Sequence, residues 1–262
     1  MNRNQLVVDK ALRATAFDPE TGLAAFMLPE IEDYQISVTI ANEKTATSAS
    51  GATVAQLEEG KEGEVTGNAS FVHVGLMAAQ NGSEPTQSTA DKTIVTPMFE
   101  SFTVKDGKIT LKNKPVGATG AEVGYIYTLT SDGTIDKSFV QAATASATEF
   151  ALTDKEITVP TGIDDGTMMG VYYDFASSTT VLLENNAEDM AKTYRLRVDV
   201  LCRDICNQNN KVVVTQEFPN AKLSSAYDLT WGTDQKHPFS FKLLTNYCDT
   251  RKNLMKTWIP QD

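Results

Sequence analysis

The stretch Tyr194-Arg195-Leu196-Arg197-Val198-Asp199-Val200-Leu201-Cys202 alternates with period two: Tyr194, Leu196, Val198, Val200 and Cys202 fall on one face, Arg195, Arg197 and Asp199 on the other. Successive side chains of a strand point to opposite sides, so this is a β-strand with one core face and one face turned to water or a partner. Ile36-Ser37-Val38-Thr39-Ile40 repeats the pattern, and Val123-Gly124-Tyr125-Ile126-Tyr127-Thr128-Leu129 alternates an aromatic face with smaller residues. Further strands are predicted at 98–104, 108–112, 156–159, 168–175, 179–183, 211–218 and 238–244, each β-branched or aromatic and bounded by Gly, Pro, Asn or Asp. Asp106-Gly107 and Asp132-Gly133 read as hairpin turns between such runs. The chain is mainly β.

One helix is predicted over 69–80, capped by Asn68 and stopped by Asn81-Gly82. Phe71, Val72, Val74, Leu76 and Met77 give it an apolar side that would pack on a sheet. Residues 41–65 are small and polar, with too few large apolar side chains for a core, and 80–92 repeat that character. Loops of this length in a compact domain are usually functional or disordered. The Val and Thr content of 41–65 suits a hairpin that becomes ordered against a neighbouring subunit.

At 262 residues the chain is long enough for one large β domain or two small ones, with a proper core. No run of about 18 apolar residues occurs, which predicts a soluble chain, made in the cytosol, with no membrane partner. The net charge of −11 is uneven: residues 149–189 hold nine acidic side chains against the single Lys155, whereas 192–262 carry eleven Lys/Arg against seven Asp/Glu. Such an acidic chain gains nothing from counterion release and does not wrap nucleic acid. Its acidic stretches either complement basic parts of other subunits or serve as solubilising loops.

No catalytic constellation stands out. The two histidines, His73 and His237, lack a neighbouring nucleophile motif, and Gly117-Ala118-Thr119-Gly120 lacks the ending of a phosphate loop. Cys202-x-x-x-Cys206 with His237 and Cys248 is the one set that could close a tetrahedral zinc site, but Cys202 lies on the inward face of a strand, so reduced buried thiols are expected instead. Asp164-Asp165-Gly166 misses the spacing of a calcium loop and reads as a turn. No cofactor, metal or catalytic residue is assigned. A carboxylate pair brought together only in space would escape this reading, which leaves an enzyme as the last-ranked alternative.

Several segments, in order, resemble the major tail or tail tube proteins of long-tailed bacteriophages. They are Ala11-Leu12-Arg13-Ala14-Thr15-Ala16-Phe17-Asp18 with Thr21-Gly22, Ala52 to Leu57, Val65 to Phe71, and Leu76 to Ser83; near the end come Glu217 to Leu223 and His237 to Lys242. The resemblance covers about the first 95 and last 70 residues. It implies a tail-tube-like β-barrel or sandwich with one short flanking helix, an N-terminal arm (1–35) and a long hairpin loop (41–65). Residues 1–95 and 191–262 would form that core, and the acidic middle, 96–190, would be an inserted β unit or part of the same barrel. The implied function is structural: stacked, hexameric rings forming a DNA conduit in the virion tail, with a lumen biased to negative charge that DNA crosses without specific binding. Implied partners are further copies of the chain and other tail proteins such as tape measure, sheath or terminator. The candidate subunit-interface residues on the arm and loop are Arg13, Phe17, Glu43, Lys44, Val54, Leu57, Glu58, Glu59, Lys61 and Glu62. Another virion component, such as a capsid, connector or baseplate protein, and an immunoglobulin-like binding or adhesin module over 98–183 remain alternatives.

Overall fold

A computed structural model describes residues 5–205, 209–233, 235–245 and 252–260. The chain divides into two compact units, one of residues 1–85 with 183–262 and one of residues 86–182, where the sequence reading set a middle region at 96–190.

The first unit is built from β1 (Leu6–Phe17), β2 (Ala24–Thr47), β3 (Thr53–Ala69) and the single helix α1 (Val74–Asn81). The second contributes β4 (Thr86–Gln87), β5 (Ile94–Thr103), β6 (Lys108–Thr110), β7 (Tyr125–Leu129), β8 (Ile135–Ala142), β9 (Glu149–Thr153), β10 (Glu156–Thr158), β11 (Met168–Ser177) and β12 (Val181–Leu182). The chain returns to the first unit as β13 (Thr193–Asp204), β14 (Lys211–Leu223), β15 (His237–Leu243) and β16 (Lys256–Trp258).

In the first unit the strand order is β13-β1-β2-β3-β15-β14-β16, and a further β13–β14 pairing closes the sheet on itself. All of these pairings are antiparallel. Closure removes the edges that an open sheet would expose. The opening motif fills the barrel: Tyr194, Leu196, Val198, Val200 and Cys202 are all buried, joined by Ala14, Ala16, Leu28, Val65, Phe218, Phe239 and Phe241. Large rings fit because small residues face them. A Cβ on Gly67 would lie 2.7 Å from the ring of Phe239, its cross-strand partner. Tyr34 donates to Gln216 at 2.6 Å, tying β2 to β14, which are not neighbours in the sheet.

Two expectations are corrected here. Residues 6–17, expected in an arm, form a barrel strand paired with β13 on one side and β2 on the other, because Ala11, Ala14 and Ala16 supply the small inward side chains that the Phe-rich core requires. The helix starts at Val74 rather than at Ala69, which remains in β3, paired with Ile31 of β2 on one side and His237 of β15 on the other. Two ladders outweigh a helix propensity. The cap is His73, whose Nδ1 accepts from the Leu76 amide at 3.2 Å, and Gly82 closes the helix at φ +71°.

His237 is fully buried beneath the helix. Its Nδ1 accepts from the His73 amide at 3.2 Å, so the Nε2–H is left to donate to Gln80 Oε1 at 2.7 Å, and Gln80 in turn donates to the Pro238 carbonyl. Desolvation, with His73 close by, lowers the His237 pKa to about 4. Both ring nitrogens are therefore used, and Cys202 is buried in the barrel core. Cys206 and Cys248, the remaining members of the candidate zinc set, lie outside the described residues. Among the described residues no group of three or more metal-ligating side chains forms.

The second unit is a sheet of order β5-β11-β7-β8-β9-β10-β6, with β8 and β9 parallel and its other pairs antiparallel. Its own core contains Ile109, Val123, Ile126, Phe150, Ile157, Met169 and Val171. Asp106 and Gly107 both take positive φ, at +53° and +66°, the geometry of a tight hairpin turn. The Asp165 carboxylate accepts from both of their amides, which holds its pKa low; that corner of the calcium-like motif is a structural clasp.

Candidate assembly interface

The site follows from where β2 and β3 lose their outer partners. Residues 24–31 of β2 pair with β1, and residues 63–69 of β3 pair with β15. Beyond them β2 and β3 pair only with each other, up to Thr47 opposite Thr53. A two-stranded ribbon therefore leaves the barrel, closed at its tip by Ser48 and Gly51 hydrogen bonds. Among the described residues both of its edges are unpaired. The expected hairpin loop at 41–65 is thus part of a regular ladder that begins at Ile31 opposite Ala69 and stands without outer partners beyond Val38 and Gly63.

The ribbon departs at a bulge between Glu32 and Gln35, a device that bends a strand. Glu30 and Asp33 take positive φ there, at +57° and +51°. Lys236 reaches Glu32 at 2.6 Å and Asp33 at 3.2 Å, and Asn68 donates to Asp33 at 3.0 Å. These contacts lower both carboxylate pKa values and raise that of Lys236. Residues 18–33 carry Asp18, Glu20, Glu30, Glu32 and Asp33 with no Lys or Arg among them, and Lys236 supplies the base in space.

The faces of the ribbon differ in chemistry. Paired residues share a face, so the core face of Ile36 and Val65 continues outward as Val38, Ile40, Lys61, Asn42, Glu59, Lys44 and Leu57. Val38, Ile40 and Leu57 are exposed at 47%, 41% and 54%, and Lys44 bridges Glu59 at 2.9 Å. The opposite face carries Thr39, Glu62, Ala41, Gly60, Glu43, Glu58, Thr45 and Gln56, with no base. Glu43 and Glu58 are directly opposed, a pairing that weakens an isolated ladder.

Of the candidate interface residues, Glu43, Lys44, Val54, Leu57, Glu58, Glu59, Lys61 and Glu62 all lie on this ribbon and are exposed. Arg13 and Phe17 do not join them. Arg13 bridges Asp199 at 2.6 Å on the barrel wall, where Thr215 also donates to Asp199. Phe17 lies beneath the guanidinium groups of Arg195 and Arg197, 5.1 and 5.7 Å from its ring centre. The sequence reading omitted Val38 and Ile40 from the interface, although the alternation running out of Ile36 carried the signal.

The family model described as the YomU/Tube protein family matches residues 6–256, spanning both units. A search of the curated proteins finds no match.

Proposed function

The chain belongs to the YomU/Tube protein family, a phage tail tube-type family, and on that premise we propose that it polymerises into stacked, hexameric rings that form the DNA conduit of a virion tail. The observation that carries this reading is the ribbon. An isolated two-stranded hairpin is marginal in water, and this one presents two unpaired edges and exposed Val38, Ile40, Val54 and Leu57. A second copy of the chain satisfies both. With like-oriented copies around a rotation axis, the β3 edge of one ribbon meets the β2 edge of the next in antiparallel sense, so a closed ring leaves no free edge.

The two-faced chemistry fits the same arrangement. The apolar face packs on protein, and the Glu43, Glu58 and Glu62 face lines the lumen, where negative charge lets DNA pass without sticking. Tape measure, sheath or terminator proteins would meet the finished tube rather than the single chain.

Replacing residues 42–59 by an Asn-Gly turn tests this. The expected product keeps the β circular-dichroism spectrum and sediments as a monomer under conditions where the intact chain polymerises. Should that truncation disturb the barrel, Ile40→Asp with Leu57→Asp, both at exposed positions, asks the same question. Unimpaired polymerisation in either folded variant overturns the reading.

A further inference from the structure

The second unit carries large apolar side chains on the outer face of its sheet as well as on the inner one. On β5 the exposed residues are Val95, Pro97, Phe99, Ser101 and Thr103, while Ile94, Thr96, Met98, Glu100 and Phe102 alternate with them as half-buried residues. The pairing Phe99 with Tyr172, the register that sets Tyr125 beside Tyr172, and the pairing Tyr125 with Val140 place one row of large side chains across β5, β11, β7 and β8. Their exposures are 46%, 59%, 53% and 43% from Phe99 to Val140. At strand spacings of about 4.8 Å the row is roughly 14 Å long. Phe99 and Tyr172 are in ring contact, 4.5 Å between centroids, and Phe99 is seated over Gly170, where a Cβ would come within 2.9 Å of the ring. Glycine at 170 makes room for an aromatic ring held on the outer surface.

Beside Tyr172 lies a concavity of about 330 Å³, lined by Pro97, Gly117, Glu122, Tyr172 and Asp174 among others. Its volume is at the lower end for a small-molecule cleft, about 300–1,000 Å³. Glu122 is already engaged by Gln141 and the Gly120 amide, at 2.6 and 3.1 Å. Asp174 is exposed, and its carboxylate has no protein partner among the described residues. The same holds for the hydroxyls of Tyr125 and Tyr172. The outward residues of β5, β11 and β7 include no Lys or Arg, which argues against nucleic acid and other polyanions.

We propose that this face and its concavity bind a neutral oligosaccharide. Pyranose rings would stack their C–H faces on Tyr172, Phe99 and Tyr125, and their hydroxyls would hydrogen-bond to Asp174 and the phenols. Such a ligand is apolar on its faces and polar at its edges, as this row is. The inference is independent of the tube reading, since it concerns the second unit alone.

The test is titration of the full chain with neutral gluco-, galacto- and N-acetylglucosamine-oligosaccharides of three to six units, followed by calorimetry and tyrosine fluorescence. Binding of at least one series is expected, weakened about tenfold or more by Tyr172→Ala and by Asp174→Asn, with melting temperature and sedimentation unchanged. Phe99→Ala is avoided because Phe99 covers Gly170. No binding across the set overturns the proposal, as does binding indifferent to both variants. Burial of Tyr172 and Tyr125 against a neighbouring copy on polymerisation, read as loss of their solvent accessibility, also overturns it in favour of a protein contact.

Discussion

Glu43 stands directly opposite Glu58 across the ribbon formed by β2 and β3, on a face that offers no positive charge. Like charges in register destabilise an antiparallel pair, and reversing one of them converts repulsion to attraction, each effect being about 0.2–1 kcal/mol. Glu58→Lys is expected to raise amide-exchange protection of residues 39–47 in the unassembled protein, by up to about thirtyfold when the two effects add. The native sequence keeps a ribbon that is poorly stable alone, as expected of a segment ordered by its neighbours.

The apolar face predicts the opposite division of effects. Ile40→Asp should abolish polymerisation while the melting temperature of the single chain barely moves, because exposed substitutions cost within about 0.5 kcal/mol. Sedimentation and calorimetry on the same sample separate the two outcomes.

His237 links stability to acidity. Its folded pKa lies near 4, below the ordinary value of 6.5, so between these limits the unfolded chain binds more protons. Stability contributed by the neutral imidazole is full above about pH 6.5 and falls as pH drops toward 4. The melting temperature should decline over that window, and His237→Gln should flatten the decline while lowering stability at neutral pH, since the half-buried His73 amide loses its acceptor geometry.

Gly67 is a packing requirement of the barrel. A side chain there meets the Phe239 ring and Ile31, at 2.7 and 3.2 Å from an added Cβ, so Gly67→Val should destabilise by about 1–3 kcal/mol in denaturant unfolding. Combining it with Phe239→Leu should recover part of the loss.

Residues 86–182 have their own core, and β4 and β12 pair with each other where the chain enters and leaves that unit. Replacing 86–182 by a short Gly-Ser linker is expected to leave a folded barrel with its cooperative transition, checked by near-ultraviolet circular dichroism. Retained polymerisation would assign assembly to the first unit alone.

Much of the barrel was legible because its signals are local. Alternation from Tyr194 to Cys202 identified the core face of β13, and in the second unit Asp106-Gly107 identified the turn that leads into β6. The long ribbon was half-legible: Ile36 to Ile40 read as a strand, but the small residues that follow carry no apolar alternation, and the ladder that orders them is set by register with β3. The helix boundary was misread because Ala69, the expected first helical residue, is held by His237 of β15, a partner more than 160 residues away. The arm was misread for a similar reason, since Ala11, Ala14 and Ala16 become core residues only when Phe218 and Phe241 arrive from the far end of the chain. Placing Arg13 and Phe17 apart from the ribbon likewise required the pairing of β1 with β13.

Electron microscopy of the purified full-length chain, concentrated and left to stand, tests the central claim most directly. Rings or tubes with a continuous inner wall, absent from the variant lacking residues 42–59, are the predicted result. A chain that remains monomeric at high concentration, by images and by sedimentation alike, would contradict it.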